Sequence, residues 1–530
     1  MKITRNKFND IIRDCVARND IFGAENLCLE VIKNGKLCET ARMMKLKLEK
    51  KRDFYNVKFA ELFRSYRSFL KDHRNSEALG CCAEMRKKYP SMWNTWACLG
   101  EALLIINSYK LAEFALVRAI ELNPYNKSVS LNLLTCLIQN QNVDASVAYA
   151  QKILDIWGDS VQIRRILLKI HSGTGDKVAE KEDLEFILSR IPNDIPSLSR
   201  LAEIEKLDMK SDVYKVSVAL LVSEKSVDNS VSLCWLIAKL SERSGDYAES
   251  SAYLKKGAKL EFDPEKDNLS VYKRRFEDSI ELASFRGIVG PEIPFKPIFV
   301  VGLPRSGTSL MEQLLSEAQG VTGAGELPYF GLNQKIISDG EGALIDRLST
   351  IRANYSRDVH MLAKDKFIVD KMPHNFLSIG AIKRAFPESK IIYMKRDLRA
   401  IAWSQFKSKF GSDGLAYTYN EDSIVDHFQF YMSVMDKWAE LHPQDFLEVD
   451  YDTMVKDPVS YLPDVFQYCG LEFNNNYLDF HRKGKVTFTA SVDQVRKGIY
   501  GGSSNSWKNY EPFFPEFFAK LTKLEEYRKH

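Results

Sequence analysis

The chain has 530 residues, 45% of them hydrophobic and 28% charged. That composition suits a globular protein of two or three parts and excludes general disorder. Lys plus Arg (75) and Asp plus Glu (71) leave a net charge of only +4, a balance that demands no nucleic-acid partner. No apolar run approaches the roughly 20 residues that cross a bilayer. The first ten residues turn polar within three positions, where a secretory signal needs an apolar core, so a cytoplasmic location is expected. The nine cysteines contain no CxxC pair. Cys15, Cys28, Cys38, Cys98, Cys136 and Cys234 sit among apolar residues in helical patterns, and read as small buried hydrophobes rather than disulfide or zinc ligands.

From the start to about residue 285, apolar residues recur at spacings of three and four and proline is scarce, which predicts helix after helix. One unit runs Thr95-Trp96-Ala97-Cys98-Leu99-Gly100-Glu101-Ala102, then Tyr109, Ala112, Ala115, Ala119 and Pro124. It resembles the tetratricopeptide repeat, with its Trp, Leu-Gly pair, later alanines and closing Pro within roughly 34 residues. Helices that approach closely need Gly or Ala at the contact. A second copy is Gly245-Asp246-Tyr247-Ala248-Glu249 with Tyr253, Leu260 and Pro264, and a weaker one carries Ala78, Cys82 and Met85 before Pro90. Ser128 to Trp157 continues the register through Leu133, Leu134, Ala145, Ala148 and Ile153. The reading is a tetratricopeptide-like helical solenoid over 1–285. Its concave face would dock a peptide or chain-like partner, or else serve as a scaffold or as the contact of a homodimer.

Gly290-Pro291-Glu292-Ile293-Pro294-Phe295-Lys296-Pro297 breaks helix and marks a linker over 286–297. Short β-branched runs follow at Ile298–Val301, Phe367–Val369, Lys390–Met394 and Phe446–Val449, with a helix expected from Ser378 to Phe386. Strands alternating with helices predict an α/β domain with a mainly parallel sheet over 298–530.

The most informative segment is Val300-Val301-Gly302-Leu303-Pro304-Arg305-Ser306-Gly307-Thr308-Ser309. A strand enters, a helix leaves, and the turn between offers backbone N–H groups to an anion. Gly302 and Gly307 are spaced as in the nucleotide P-loop, but Thr308 stands where that loop has its phosphate lysine. A kinase or NTPase reading is therefore disfavoured, and the cation of the loop is Arg305. Further on, Lys395-Arg396-Asp397-Leu398-Arg399 follows a strand and opens a helix that carries Ser404. An arginine fork and a hydroxyl suit a phosphate dianion. The bland alternative for Arg396 and Arg399 is a helix start with local pairing to Asp397.

These two segments, in this order, resemble sulfotransferases that use 3′-phosphoadenosine 5′-phosphosulfate (PAPS). Pro304–Ser309 is close to the form in tyrosylprotein sulfotransferases and in bacterial proteins that join tetratricopeptide repeats to a sulfotransferase domain. The resemblance implies a 5′-phosphosulfate site at Arg305, Ser306, Gly307, Thr308 and Ser309, and a 3′-phosphate site at Arg396 and Ser404. It also implies a lysine near the transferring sulfur at Lys371, in Asp370-Lys371-Met372-Pro373, and an adenosine-side tyrosine at Tyr451. Ser491, Gln494 and Val495, in Ser491-Val492-Asp493-Gln494-Val495-Arg496, match a late segment that closes over the cofactor. Glu326, in Gly323-Ala324-Gly325-Glu326-Leu327-Pro328, falls where the family has its general base.

Arg305 and Lys371 would stabilise charge on the leaving phosphate, with loop N–H groups as fixed dipoles. Nothing in this account asks for a metal. The alternative reading of Glu326 is an exposed carboxylate capping the next helix. His374 is the second candidate base, though a packing role suits it better, and His427, His442 and His481 have no partner pattern. Two departures stand out. Ser408 and Ser506 occupy positions where the family often has basic residues, with Lys407, Lys409 and Lys508 as flanking substitutes. The acceptor implied is a peptide or protein tyrosine, with a carbohydrate or small phenol as the alternative. A non-catalytic repeat scaffold is the more remote one.

Overall fold

A computed structural model describes residues 5–17, 57–72, 74–106, 108–140, 142–283, 292–327, 329–332, 341–362, 365–410, 413–482 and 502–527, with scattered positions between 24 and 45. The chain forms two compact units, Met1–Ser197 and Leu198–His530.

The first unit is helical throughout its described length. Successive helices, Asn75–Lys88, Trp93–Ile105, Tyr109–Leu122, Lys127–Gln139 and Val143–Trp157, each pack on the next. The alternating small residues have the expected steric role. A Cβ at Gly100 would lie 2.5 Å from the Leu116 side chain, and Ala112, Ala115 and Ala119 are fully buried. Helix starts are fixed by side chains: Asn126, Asn142, Ser160 and Asp176 each accept from a backbone N–H in the first turn.

The second unit holds the sheet. Its strands are β1 (Lys296–Val301), β2 (Val321–Gly325), β3 (Phe367–Asp370), β4 (Lys390–Lys395) and β5 (Phe446–Asp450), in the order β2-β3-β1-β4-β5, and every pairing is parallel. Both faces are covered, as an all-parallel sheet requires. Ile298 and Val300 face a core with Met311, Leu314 and Leu315, while Phe299 and Val301 face another built on Phe376, Phe386 and Trp403.

β2 carries no strand signature in the sequence, because Gly323-Ala324-Gly325 has poor strand propensity. It pairs with β3 alone at the sheet edge, with a register shift between Gly323 and Gly325. Helices from Leu198 to Ala283 pack within this same unit. A Cβ on Gly380, in the helix Ile379–Ala385, would come within 1.9 Å of the Ser279 carbonyl oxygen. Tyr272 donates to the Gly414 carbonyl at 2.7 Å, and Ser250 and Tyr510 hydroxyls meet at 3.0 Å. Among the described residues, no helix is long and apolar enough to cross a membrane.

Candidate active site

Every strand delivers one candidate site residue at its carboxyl end, where open α/β sheets place ligands. β1 runs into the loop carrying Arg305. Glu326, Lys371, Arg396 and Tyr451 are the first residues after β2, β3, β4 and β5.

The β1 loop is shaped by close approach. A Cβ at Gly302 would lie 2.7 Å from Ser306 Oγ and 3.0 Å from the Met394 carbonyl oxygen. Gly307 has φ 104°, and a Cβ there would meet the Tyr451 ring at 2.3 Å. Arg305 itself is left-handed at φ 76°, a conformation that costs a non-glycine residue about 1–3 kcal/mol. Ser306 is fully buried, and its hydroxyl has no hydrogen-bond partner among the described residues. An orphaned donor in a glycine-lined turn fits an anion, for which it is a ready partner. Thr308 and Ser309 open the helix Thr308–Leu315 directly behind it.

Arg305 and Arg396 converge. Arg396 Nη1 donates to the Arg305 carbonyl at 2.9 Å, and Arg305 Nε donates to Ser404 Oγ at 3.0 Å. The Arg396 guanidinium lies 4.5 Å from the Tyr451 ring centroid, and Gly307 lies close against the same ring. Arg396 is only 7% exposed. Its Nε and Nη2 donate to Ser504 Oγ at 3.1 and 3.0 Å, and Ser504 in turn donates to Asp452 at 2.5 Å. Arg399 behaves differently. It pairs with Asp397 at 2.5 Å and lies over the Trp507 ring at 4.6 Å. Asp397 also accepts from the Arg399 and Ala400 N–H groups, capping Leu398–Phe406. Burial pushes its carboxyl up, but the Arg399 fork and these N–H groups prevail and hold it below its ordinary value.

Lys371 is 1% exposed and ion-paired with Glu326, whose carboxylate is half exposed. Asp370, at the end of β3, is fully buried. Burial drives its carboxyl well above the usual range, with Glu312 adding to the rise while Tyr355 and Lys371 oppose it. His374 packs against the Tyr272 and Phe376 rings. Burial, then the Arg275 and His427 charges, push its pKa down to about 3. His427 pairs with Asp267 at 2.8 Å and stacks on Tyr417, a packing role.

The lysines beside Ser408 are engaged elsewhere: Lys407 with Glu242 at 3.1 Å and Lys409 with Asp228 at 2.6 Å. Ser408 donates to the Ser404 carbonyl at 2.7 Å. Ser506 is half-buried and Lys508 exposed. Ser491, Gln494 and Val495 lie outside the described residues. Sequence reasoning passed over Gln405, which is buried and donates to the Pro304 carbonyl at 2.8 Å, and Ser504 and Asp452 beside Arg396. Gln405 follows Ser404 directly and could have been suspected as a loop anchor, whereas nothing local marks Ser504. Among the described residues, no three His, Cys, Asp or Glu gather as metal ligands.

Comparison with known proteins agrees with this architecture. Residues 297–475 match the sulfotransferase family, and residues 231–264 match the tetratricopeptide repeat. The chain therefore carries a segment similar to the sulfotransferase family and, before it, a segment similar to the tetratricopeptide repeat. An uncharacterized protein of Aquifex aeolicus (strain VF5) is 28% identical over 387 residues, covering 66% of this chain and 50% of that protein, so the match spans half of that relative's length. Protein-tyrosine sulfotransferase 2 of Gallus gallus is 24% identical over 238 residues, covering 41% of this chain and 64% of that one. The solved sulfotransferase domain of the Synechococcus PCC 7002 olefin synthase aligns with TM-score 0.32 and 17% identity, covering 42% of this chain and 91% of that domain.

Proposed function

We propose that this protein moves the sulfuryl group of PAPS to an acceptor hydroxyl, that of a tyrosine in a peptide or protein. The observation that carries this reading is the convergence of Arg305, Arg396, Ser404 and Tyr451 on the β1 loop, with the Lys371–Glu326 pair at the neighbouring strand ends. Two guanidinium groups and the fully buried Ser306 hydroxyl, which has no hydrogen-bond partner among the described residues, suit a nucleotide with phosphate groups at both ends. Tyr451, beside the β1 loop, stands where the resemblance implies an adenosine contact.

The donor supplies an SO₃-like group for in-line transfer between two oxygens. As the acceptor oxygen bonds to sulfur, its proton passes to a Glu326 carboxylate oxygen. The sulfur–oxygen bond to the leaving phosphate breaks, and its electron pair stays on that phosphate. Arg305 and Lys371 balance the charge that grows there, and Lys371 also orients Glu326 through their ion pair. The tyrosine acceptor is supported by the Pro304–Ser309 loop form, by the position of Glu326 and by the relative in Gallus gallus. Helical repeats suit a peptide-like acceptor better than a small one.

The test is labelled-sulfate transfer from PAPS to a panel of tyrosine peptides, phenols and carbohydrates. Tyrosine peptides should be labelled best. Glu326→Gln should bind adenosine 3′,5′-bisphosphate as the wild type does and lose about 10²–10⁴-fold in turnover. Unchanged turnover in that variant would remove Glu326 from its role.

A further inference from the structure

The helix that leaves the β1 loop carries a carboxylate that the reaction above does not use. Glu312, one turn into Thr308–Leu315, reaches across to β2 and accepts a hydrogen bond from the Gly325 N–H at 2.8 Å. The Gly325 carbonyl is held from the other side, where it accepts from the Lys371 N–H at 2.9 Å. Gly325, the residue just before Glu326, is thus held at both its N–H and its carbonyl, once from the donor-loop helix and once from the residue that pairs with the Glu326 side chain.

The surrounding glycines fit this arrangement. A Cβ at Gly323 would sit 2.5 Å from Ser316 Oγ and 3.2 Å from Glu312 Oε1, so the helix face carrying Glu312 and Ser316 lies directly against the strand backbone. Gly325 has φ 71°, the left-handed conformation that turns the chain toward Glu326 and that only glycine adopts freely. Burial holds the Glu312 carboxyl above its ordinary value and the nearby Glu326 adds to the rise, while Lys371 and the Gly325 N–H oppose it.

We propose that Glu312 is a positioning residue for the acceptor-activating carboxylate: it ties the donor-loop helix to the turn that presents Glu326, so that donor and base keep one geometry. This inference rests on the reading of Glu326 as the base. A displacement of about 1 Å at a reacting group can cost about 10²-fold in rate, which is the scale on which such a tie acts.

The experiment compares the full chain with Glu312→Ala and Glu312→Gln; the latter keeps an oxygen acceptor of the same length. Amide exchange is followed in the peptide spanning 321–327, together with calorimetric binding of adenosine 3′,5′-bisphosphate and turnover on a tyrosine peptide with PAPS. Glu312→Ala should speed exchange at Gly325 tenfold or more and lower kcat tenfold or more. Nucleotide affinity and KM for the donor should stay within threefold. Glu312→Gln should recover most of both losses. Made in a Glu326→Gln background, Glu312→Ala should cost nothing further in turnover.

Retained protection of Gly325 in Glu312→Ala overturns the proposal. So does a parallel fall of melting temperature and nucleotide affinity that Glu312→Gln fails to rescue, or an undiminished kcat effect when Glu326 is already gone. If Glu326→Gln alone leaves turnover intact, the base reading fails separately, and the clamp on Gly325 is then judged by its exchange rate.

Discussion

Arg396 and Arg399 stand three residues apart and have different work. Asp397 captures Arg399 at the helix start, while Arg396, the first residue past β4, is turned inward over Tyr451. Both were legible as candidates from residue type and spacing. What separated them was the direction in which each leaves the backbone, and that depends on where β4 stops. Gly307 was legible as one of a glycine pair and as part of the implied 5′-phosphosulfate site; the Tyr451 ring against it stands just after β5, some 140 positions away in sequence. Gly307→Ala should therefore cost about 1–3 kcal/mol from the left-handed backbone and displace Tyr451, lowering the melting temperature and nucleotide affinity together. Wild-type affinity in that variant would contradict the packing described. At His374 the sign of the pH effect follows from burial. Its folded pKa lies near 3, below the ordinary histidine value of about 6.5, so between these values the unfolded chain takes up a proton that the folded chain refuses. Stability should fall as pH drops through that window, and His374→Gln should flatten the fall. Melting curves at pH 7 and pH 4 check it; identical slopes for both proteins would contradict it.

At the scale of elements, four of five strands could be read from β-branched runs, and β2 could not. Its glycines are poor strand formers: Gly323 is present because the side chains of Glu312 and Ser316 fill the space its Cβ would take, and Gly325 because its backbone is left-handed at φ 71°. Only tertiary packing discloses that reason. The miss mattered, because β2 ends on the turn that presents Glu326. The helix Leu398–Phe406 is the opposite case: its start beside Asp397 was legible, and Asp397 is its N-cap. Asp397→Ala should cost about 1–2 kcal/mol at neutral pH. Since the folded carboxyl titrates below its unfolded value, the stabilisation is complete above the ordinary aspartate range near pH 4 and fades as pH falls through the folded pKa. The gap in unfolding free energy between wild type and variant should close in acid; a gap independent of pH would refute the cap's charge.

For the molecule as a whole, the sequence changes texture at the proline-rich stretch before β1, while the compact unit that holds the sheet begins at Leu198. Secondary-structure signals report local propensity, and the contacts that weld the helices of 198–283 to the α/β layers are long-range. Tyr272 to Gly414, Lys409 to Asp228 and the Gly380–Ser279 approach carry no local signature. Gly380→Val, whose Cβ would collide with the Ser279 carbonyl, should cost about 1–3 kcal/mol or more by overpacking. Its effect should appear as faster amide exchange in the 227–283 helices and in β1, β3 and β4 together. Loosening of the helices alone would show that they do not fold with the sheet.

The claim on which the account stands is that Arg305 and Arg396 hold one nucleotide between them. Calorimetric titration with adenosine 3′,5′-bisphosphate in the presence of a chelator tests it most directly. Binding should occur without metal, and Arg305→Ala and Arg396→Ala should each weaken it about 10–100-fold, the scale of a lost charge-assisted hydrogen bond. Binding of Mg-ATP as tight or tighter, or undiminished affinity in either variant, would contradict it.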